Sequence, residues 1–209
     1  MPRQVDWDER RAELAAAVWR TIARRGLAHT SIRNIAEESG WTRGVLQLYF
    51  RDKGELMLYA FELACDHAME VNYRVVGEAK GLEDLRRRML AYARPDEEQR
   101  QVTEVLTAFV MRAKTQPDLA DAARRRYGDW VEVTQRLFRG LDAQGAFREG
   151  IELEHAALEY FALAMGLAEL DLIDEDMLVG IDAGRLIDGY LSRIGSPAEL
   201  ERLGIQPRH

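Results

Sequence analysis

The chain has 209 residues, 47% of them hydrophobic and 31% charged, with 5 prolines, 1 cysteine and a formal net charge of −7. That composition belongs to an ordinary globular protein, its scarcity of proline suits long helices, and the lone Cys65 excludes an intramolecular disulfide framework. No Cys/His cluster has zinc spacing, no uncharged apolar run of about 18 residues is present to span a bilayer, and MPRQVDWDERR lacks the apolar core of a signal peptide; a cytoplasmic protein without membrane contact is expected.

Residues 9–25 form the first expected helix. Leu14, Val18 and Ile22 recur every four residues with Ala15 and Ala17 beside them, and Gly26 stops the helix after the basic pair Arg24 and Arg25. Thr30 or Ser31 caps a second helix that runs to about Ser39, with Ile32, Ile35 and Ala36 on one face. Gly40 follows the small Ala36 by four residues, which permits close helix approach and the positive φ of a tight turn. Thr42 then caps a third short helix, Arg43 to Tyr49, whose Val45 and Leu46 form an apolar stripe with Phe50. Two short crossing helices cannot bury both stripes alone, so the first helix completes a small three-helix domain. Asp52 and Glu55 make a capping-box-like start for a long fourth helix.

From Leu56 onward helix follows helix. Val102, Val105, Leu106, Phe109, Val110 and Ala113 make one stripe; Leu119, Tyr127, Trp130, Leu137, Phe138 and Leu141 belong to another, begun by Pro117 in a first helical turn. A penultimate helix is expected at about Leu153 to Leu172, a last long one at about Asp176 to Ile194, and a short peripheral one after Gly195-Ser196-Pro197. The fold class is all-α with nine to ten helices, divided into a domain over residues 1–55 and a larger one over 56–209. Residues 1–55 carry a balance of +2 and residues 56–209 a balance of −9. The acidic charge thus belongs to the larger part, and screening over about 8 Å lets the local charge dominate.

The order Leu14, Ala17, Ile22, Gly26, Thr30-Ser31-Ile32, Ile35-Ala36, Gly40, Gly44, Tyr49-Phe50, Lys53 and Leu56 resembles the N-terminal domain of TetR-family transcriptional regulators. LYFRDKGEL is similar to the BetI-like branch, and FVMRAKTQPDL with RRRYGDW resembles its ligand domain. The resemblance implies a helix-turn-helix DNA-binding domain followed by a helical effector-binding and dimerisation domain. It implies a homodimeric repressor on a palindromic double-stranded operator, released by an unidentified small-molecule effector. No cofactor is implied.

Expected DNA contacts are Thr30 and Ser31 at the start of the second helix, Arg43, Gly44 and Gln47 on the third, and Tyr49 and Lys53 where the family meets phosphates. Arg43 can reach a guanine or a phosphate, Gly44 has no side chain to hold the helix off the groove, and Gln47 can pair with adenine N6 and N7. Two positions depart from the family: Gln47 stands where a tyrosine is common, and Trp41, read as packing over the turn, where a small aliphatic is.

Met69, Tyr73, Met89, Tyr92, Phe109, Tyr127, Trp130 and Phe138 supply bulky, adaptable side chains on expected inward faces. Such stripes are core more often than cavity lining, so an effector pocket among them is what the resemblance implies. Whether it extends to choline-type ligands, with Tyr127 and Trp130 facing a quaternary ammonium, stays open. The family's four-helix dimer interface would take Leu158, Phe161, Met165, Leu172, Ile181, Ile187 and Tyr190, which can equally fill one subunit's core.

Enzymatic activity is not expected. Cys65 and His67 lie two apart on a helix, so their side chains point about 200° apart and make no nucleophile–base pair. Glu169, Asp171 and Asp174 are read as solvated helix-end acids. The competing classes are a helical protein-interaction module and a regulator that activates transcription.

Overall fold

The computed structural model describes residues 7–26, 29–77, 79–174 and 182–207. Among these there are ten helices: α1 (Trp7–Arg25), α2 (Ile32–Ser39), α3 (Arg43–Tyr49), α4 (Lys53–Val76), α5 (Leu82–Ala93), α6 (Glu97–Ala113), α7 (Pro117–Asp142), α8 (Leu153–Ile173), α9 (Ala183–Ile194) and α10 (Pro197–Leu203). The chain divides into two compact units, Met1–Ala68 with Glu104–Arg124, and Met69–Thr103 with Arg125–His209. Helices α4, α6 and α7 contribute residues to both.

The first unit is built on the α1 stripe. Leu14, Val18 and Ile22 are buried, and the small Ala15 and Ala17 are fully enclosed beside them. Ile35 of α2, Leu46 of α3 and Phe50 complete the small core, and Leu56, Met57, Ala60 and Phe61 of α4 extend it. The Trp19 indole N–H donates to the Ala60 carbonyl at 2.8 Å, which ties α1 to α4. Phe61 and Phe109 meet edge to face at 5.6 Å. Cys65 is buried, as befits a small hydrophobe.

The turn between α2 and α3 depends on one glycine. Gly40 has φ 72 and ψ 11, and its N–H donates to the Ala36 carbonyl. A Cβ there would meet nothing within 4 Å, so a substitution acts on the backbone alone. Gly40→Ala should therefore cost about 1–2 kcal/mol, the left-handed penalty of an L residue, measurable as a shifted denaturant midpoint.

The second unit buries Leu82, Leu85 and Met89 of α5 with Phe138 and Leu141 of α7, Ala156, Ala157 and Tyr160 of α8, and Ile187, Tyr190 and Leu191 of α9. Phe138 stacks on Phe147 at 5.0 Å and meets Tyr160 edge-on at 5.5 Å. Buried tyrosine hydroxyls find carbonyls: Tyr190 donates to Ala156 at 2.6 Å and Tyr160 to Leu85 at 3.3 Å. Burial raises the pKa of both phenols.

Asp171 corrects an expectation. It is only 4% exposed, and Arg100 of α6 grips it with Nε–Oδ2 at 2.9 Å and Nη2–Oδ1 at 3.4 Å. It is a buried ion-paired group and not a solvated helix-end acid. The helix expected from Asp176 is described from Ala183, behind Asp182, whose carboxylate accepts from the Arg185 N–H at 3.3 Å. Residues 175–181, Ile181 among them, lie outside the described residues.

Candidate nucleic-acid interface

Helices α2 and α3 each begin on a hydroxyl. The Ser31 Oγ accepts from the Asn34 N–H at 3.1 Å, and the Thr42 Oγ1 accepts from the Val45 N–H at 3.4 Å. With Gly40 between them and Leu46 anchored in the core, α3 turns Arg43, Gly44, Gln47 and Leu48 outward. Trp41 packs over the turn: its ring lies 5.7 Å from that of Tyr49, and the Arg10 guanidinium sits over it at 5.4 Å. Tyr49 also meets Trp7 at 4.6 Å, so this half-buried phenol is fixed by two indoles.

Charge separates the outward cations from the rest. Glu38 takes Arg20 at 3.2 Å and Arg24 at 3.1 Å. Glu37 takes Arg25 at 3.3 Å and Arg33 at 3.0 Å. Glu55 takes Arg51 at 3.2 Å and Arg11 at 3.5 Å, and Glu13 takes Arg10 at 2.8 Å. Arg43 and Lys53 have no carboxylate partner among the described residues. Lys53 is half-buried, and burial first and the Arg112 guanidinium second hold its pKa below the ordinary lysine value. A desolvated ammonium beside another cation, with no anion of its own, is suited to accept a phosphate.

The fourth helix starts as a capping box. Asp52 accepts from the Glu55 N–H at 2.9 Å, and Glu55 reaches back to the Arg51 N–H at 2.9 Å. Hydrogen bonds from Arg51 hold the Glu55 pKa below its ordinary value, and those from Arg33 and Arg25 do the same for Glu37. Lowered folded-state values mean stability that is present above the ordinary carboxylate value of 4.5 and is lost as pH falls through the lowered ones. Circular-dichroism melts at descending pH should show this loss, and Glu55→Gln should flatten it.

Of the expected contacts, Ser31, Arg43, Gly44, Gln47, Tyr49 and Lys53 belong to the α2–α3 region and the first residue of α4. Thr30 is withdrawn: it is 1% exposed, and its hydroxyl donates to the Gly26 carbonyl at 3.2 Å. The single signal that separates the two residues is geometric, since Ser31 and not Thr30 is the cap. Leu48, 70% exposed on α3, was not singled out from the sequence.

The residues expected to line an effector pocket are not all brought together. Phe109 belongs to the first unit, packed on Phe61. Met89 and Phe138 are fully buried in the core of the second, whereas Met69 is 37% and Tyr73 63% exposed. Tyr92 hydrogen-bonds with Asn72, and burial raises its pKa. Tyr127 and Trp130 are in ring contact at 4.8 Å, with Phe161 edge-on to Tyr127 at 6.4 Å.

The expected interface residues also divide. Leu158 is 49% exposed, and Phe161, Met165 and Leu172 are half-buried. Ile187 and Tyr190 point into the subunit's own core and are withdrawn from the outer face, at 0% and 2% exposed. Ile173 at 71% and Leu186 at 44% are exposed apolar groups that had not been expected there.

A helix-turn-helix with Arg43 unpaired on its second helix and Lys53 unpaired just after it, continued by further helices, is the architecture of a DNA-binding transcriptional regulator. Residues 14–60 match the model of bacterial regulatory proteins of the tetR family, and residues 81–195 match that of the BetI-type transcriptional repressor C-terminal domain. The chain belongs to the TetR family, with a C-terminal domain of the BetI type. It is 29% identical over 175 residues to the HTH-type transcriptional regulator PksA of Bacillus subtilis, covering 83% of this chain and 84% of that one. It is 26% identical over 202 residues to the HTH-type nicotine-responsive transcriptional repressor HdnoR of Paenarthrobacter nicotinovorans, covering 90% and 96%. A crystal structure from Saccharomonospora viridis, in complex with choline, shares the fold with TM-score 0.76 at 22% identity, covering 90% and 99%. Among the described residues no helix is long and apolar enough to cross a membrane, and no three His, Cys, Asp or Glu are grouped to hold a metal ion.

Proposed function

We propose that the protein is a homodimeric repressor that binds a palindromic operator and is released from it by a small organic effector. Residues 1–55 read the DNA, and residues 56–209 sense the effector and pair the subunits. The observation that carries this reading is the set of outward residues on α3, Arg43, Gly44 and Gln47, with Lys53 close after it in the chain, while the surrounding arginines are held by glutamates. Ser31 and Tyr49 add hydroxyls for phosphates.

Dimerisation is supported by α8. It buries Ala156, Ala157, Tyr160, Ala164 and Leu167 in its own subunit yet still exposes Leu158, Ala162, Gly166 and Ile173 along one face, at successive intervals of one, one and two turns. A helix with apolar residues on an outward face as well as its inward one is suited to cover on both sides, and a two-fold mate reading a second half-site is the economical cover.

For the effector, the Tyr127–Trp130 pair is the preferred ground, and choline, present in the Saccharomonospora viridis structure, and nicotine, to which HdnoR is responsive, are the first probes. Each carries a basic or quaternary nitrogen suited to an aromatic face. Because α4 has residues in both units, a ligand-driven shift of it changes the spacing of the two α3 helices. A tenfold loss of operator affinity takes about 1.4 kcal/mol of differential binding.

The test is selection of genomic fragments on the purified protein, followed by titration of choline and nicotine into the complexes. A palindromic enriched site supports the reading, and failure to enrich any site removes it. A protein-interaction module would lack the steep salt dependence of DNA binding. A reporter behind the selected site distinguishes repression from activation.

A further inference from the structure

Leu48 is left over by the core of the first unit. It is 70% exposed, while its neighbour Leu46, at 2%, already anchors α3. A single exposed leucine on an ordinary surface needs no explanation. This one stands on a seven-residue helix whose other outward residues are Arg43, Gly44 and Gln47.

Its immediate surroundings are uncluttered. Helical side chains lean toward the N-terminus, so a residue covers the surface one turn before its own Cα, and one turn before Leu48 is Gly44. A Cβ built on Gly44 would have only the Thr42 Oγ1 near it, at 3.9 Å. No side chain other than that of Thr42 crowds this turn, so the exposed isobutyl group shares the outward face of α3 with Arg43, Gly44 and Gln47. Among the base edges in the major groove, the apolar group is the thymine 5-methyl.

We propose that Leu48 is a specificity-determining residue that reads a thymine methyl beside the base met by Gln47. The assignment rests on the DNA-binding reading above and adds to it a contact without hydrogen bonds. Losing one methyl from such a contact is worth about fourfold in affinity per half-site, from about 0.8 kcal/mol per buried carbon group.

The test uses the full chain and a pool of duplexes randomised over both half-sites, enriched in parallel on the wild type, Leu48→Ala and Leu48→Met. In the duplex enriched on the wild type, each thymine is then replaced in turn by deoxyuridine, which removes only the methyl. The expected result is one thymine position per half-site at which uracil weakens the wild type about fourfold. Leu48→Met should keep that sensitivity, and Leu48→Ala should lose it while binding the uracil duplex as the wild type does. Because the side chain lies outside the core, both variants should melt with the wild type. The proposal is overturned if uracil at every thymine leaves wild-type affinity unchanged, or if Leu48→Ala stays as sensitive as the wild type. Failure of the wild type to enrich any duplex overturns the DNA-binding reading instead.

Discussion

Arg100→Ala should destabilise the second unit by about 3–5 kcal/mol, the cost of leaving one member of a buried ion pair without its partner. Asp171 is 4% exposed, and it sits in the last turn of α8, where the negative end of the helix dipole already opposes a carboxylate. The bidentate Arg100 guanidinium offsets both the lost water and the dipole. The pair itself is not a source of large net stability, because desolvation consumes most of the attraction. The double variant Arg100→Met/Asp171→Leu should therefore recover most of the loss, to within about 1–2 kcal/mol of the wild type or beyond it. Denaturant unfolding of the wild type, the single variant and the double variant gives the answer. A single variant as stable as the wild type would show that Asp171 is solvated despite its enclosure.

The elements that sequence reasoning located were those whose ends are set locally. Ser31, Thr42 and Gly40 cap or terminate helices through bonds to residues three or four positions away, and such spacings are visible in a linear chain. Asp52 and Glu55 belong to the same class. Helix α5 was not singled out because its start is supplied from a distance: Gly81 brings no side chain, and the Leu82 N–H donates to the Glu199 carboxylate of α10 at 2.9 Å. Asp171 was misread for the same reason, since the arginine that holds it lies 71 residues away in sequence.

At the site, residue type misled where one chemistry serves two environments. Thr30 and Ser31 are adjacent hydroxyls, and only the folded backbone shows that the first is enclosed and the second caps. Leu48 carries the same side chain as Leu46 two positions earlier, yet a helix turns about 200° in two residues, so one is core and the other surface. Among the residues expected to line a pocket, Phe109, Met89 and Met69 all fit an aromatic or methionine stripe. The stripe gives each a helical face but not the unit it packs in: Phe109 packs in the first unit, and Met69 and Met89 belong to the second.

Arg43→Ala and Lys53→Ala should both weaken operator binding, and in different ways. Arg43 is exposed at the start of α3 with no carboxylate partner among the described residues. A bidentate contact to guanine there is worth about 1–3 kcal/mol of discrimination, and the proposed two-fold dimer would make it twice. The alanine variant should thus lose base preference at one position of each half-site and about 2–6 kcal/mol of specific affinity, while its binding to unrelated DNA falls much less. Lys53 is held at the first residue of α4 with its pKa lowered by burial and by Arg112, a setting suited to the proposed phosphate contact. Lys53→Ala should weaken all sequences alike and make the slope of log K against log salt shallower by about 1 per half-site. Arg33→Ala is the control: Arg33 is already bridged to Glu37 at 3.0 Å on an exposed face, and exposed bridges of this kind carry less than about 1 kcal/mol. Binding titrations at several salt concentrations, on the selected operator and on a scrambled duplex, separate the three. If Lys53→Ala changed base preference while Arg43→Ala shifted only the salt slope, the two residues would have exchanged roles, and α3 would dock with its N-terminal end on the backbone and not on the bases.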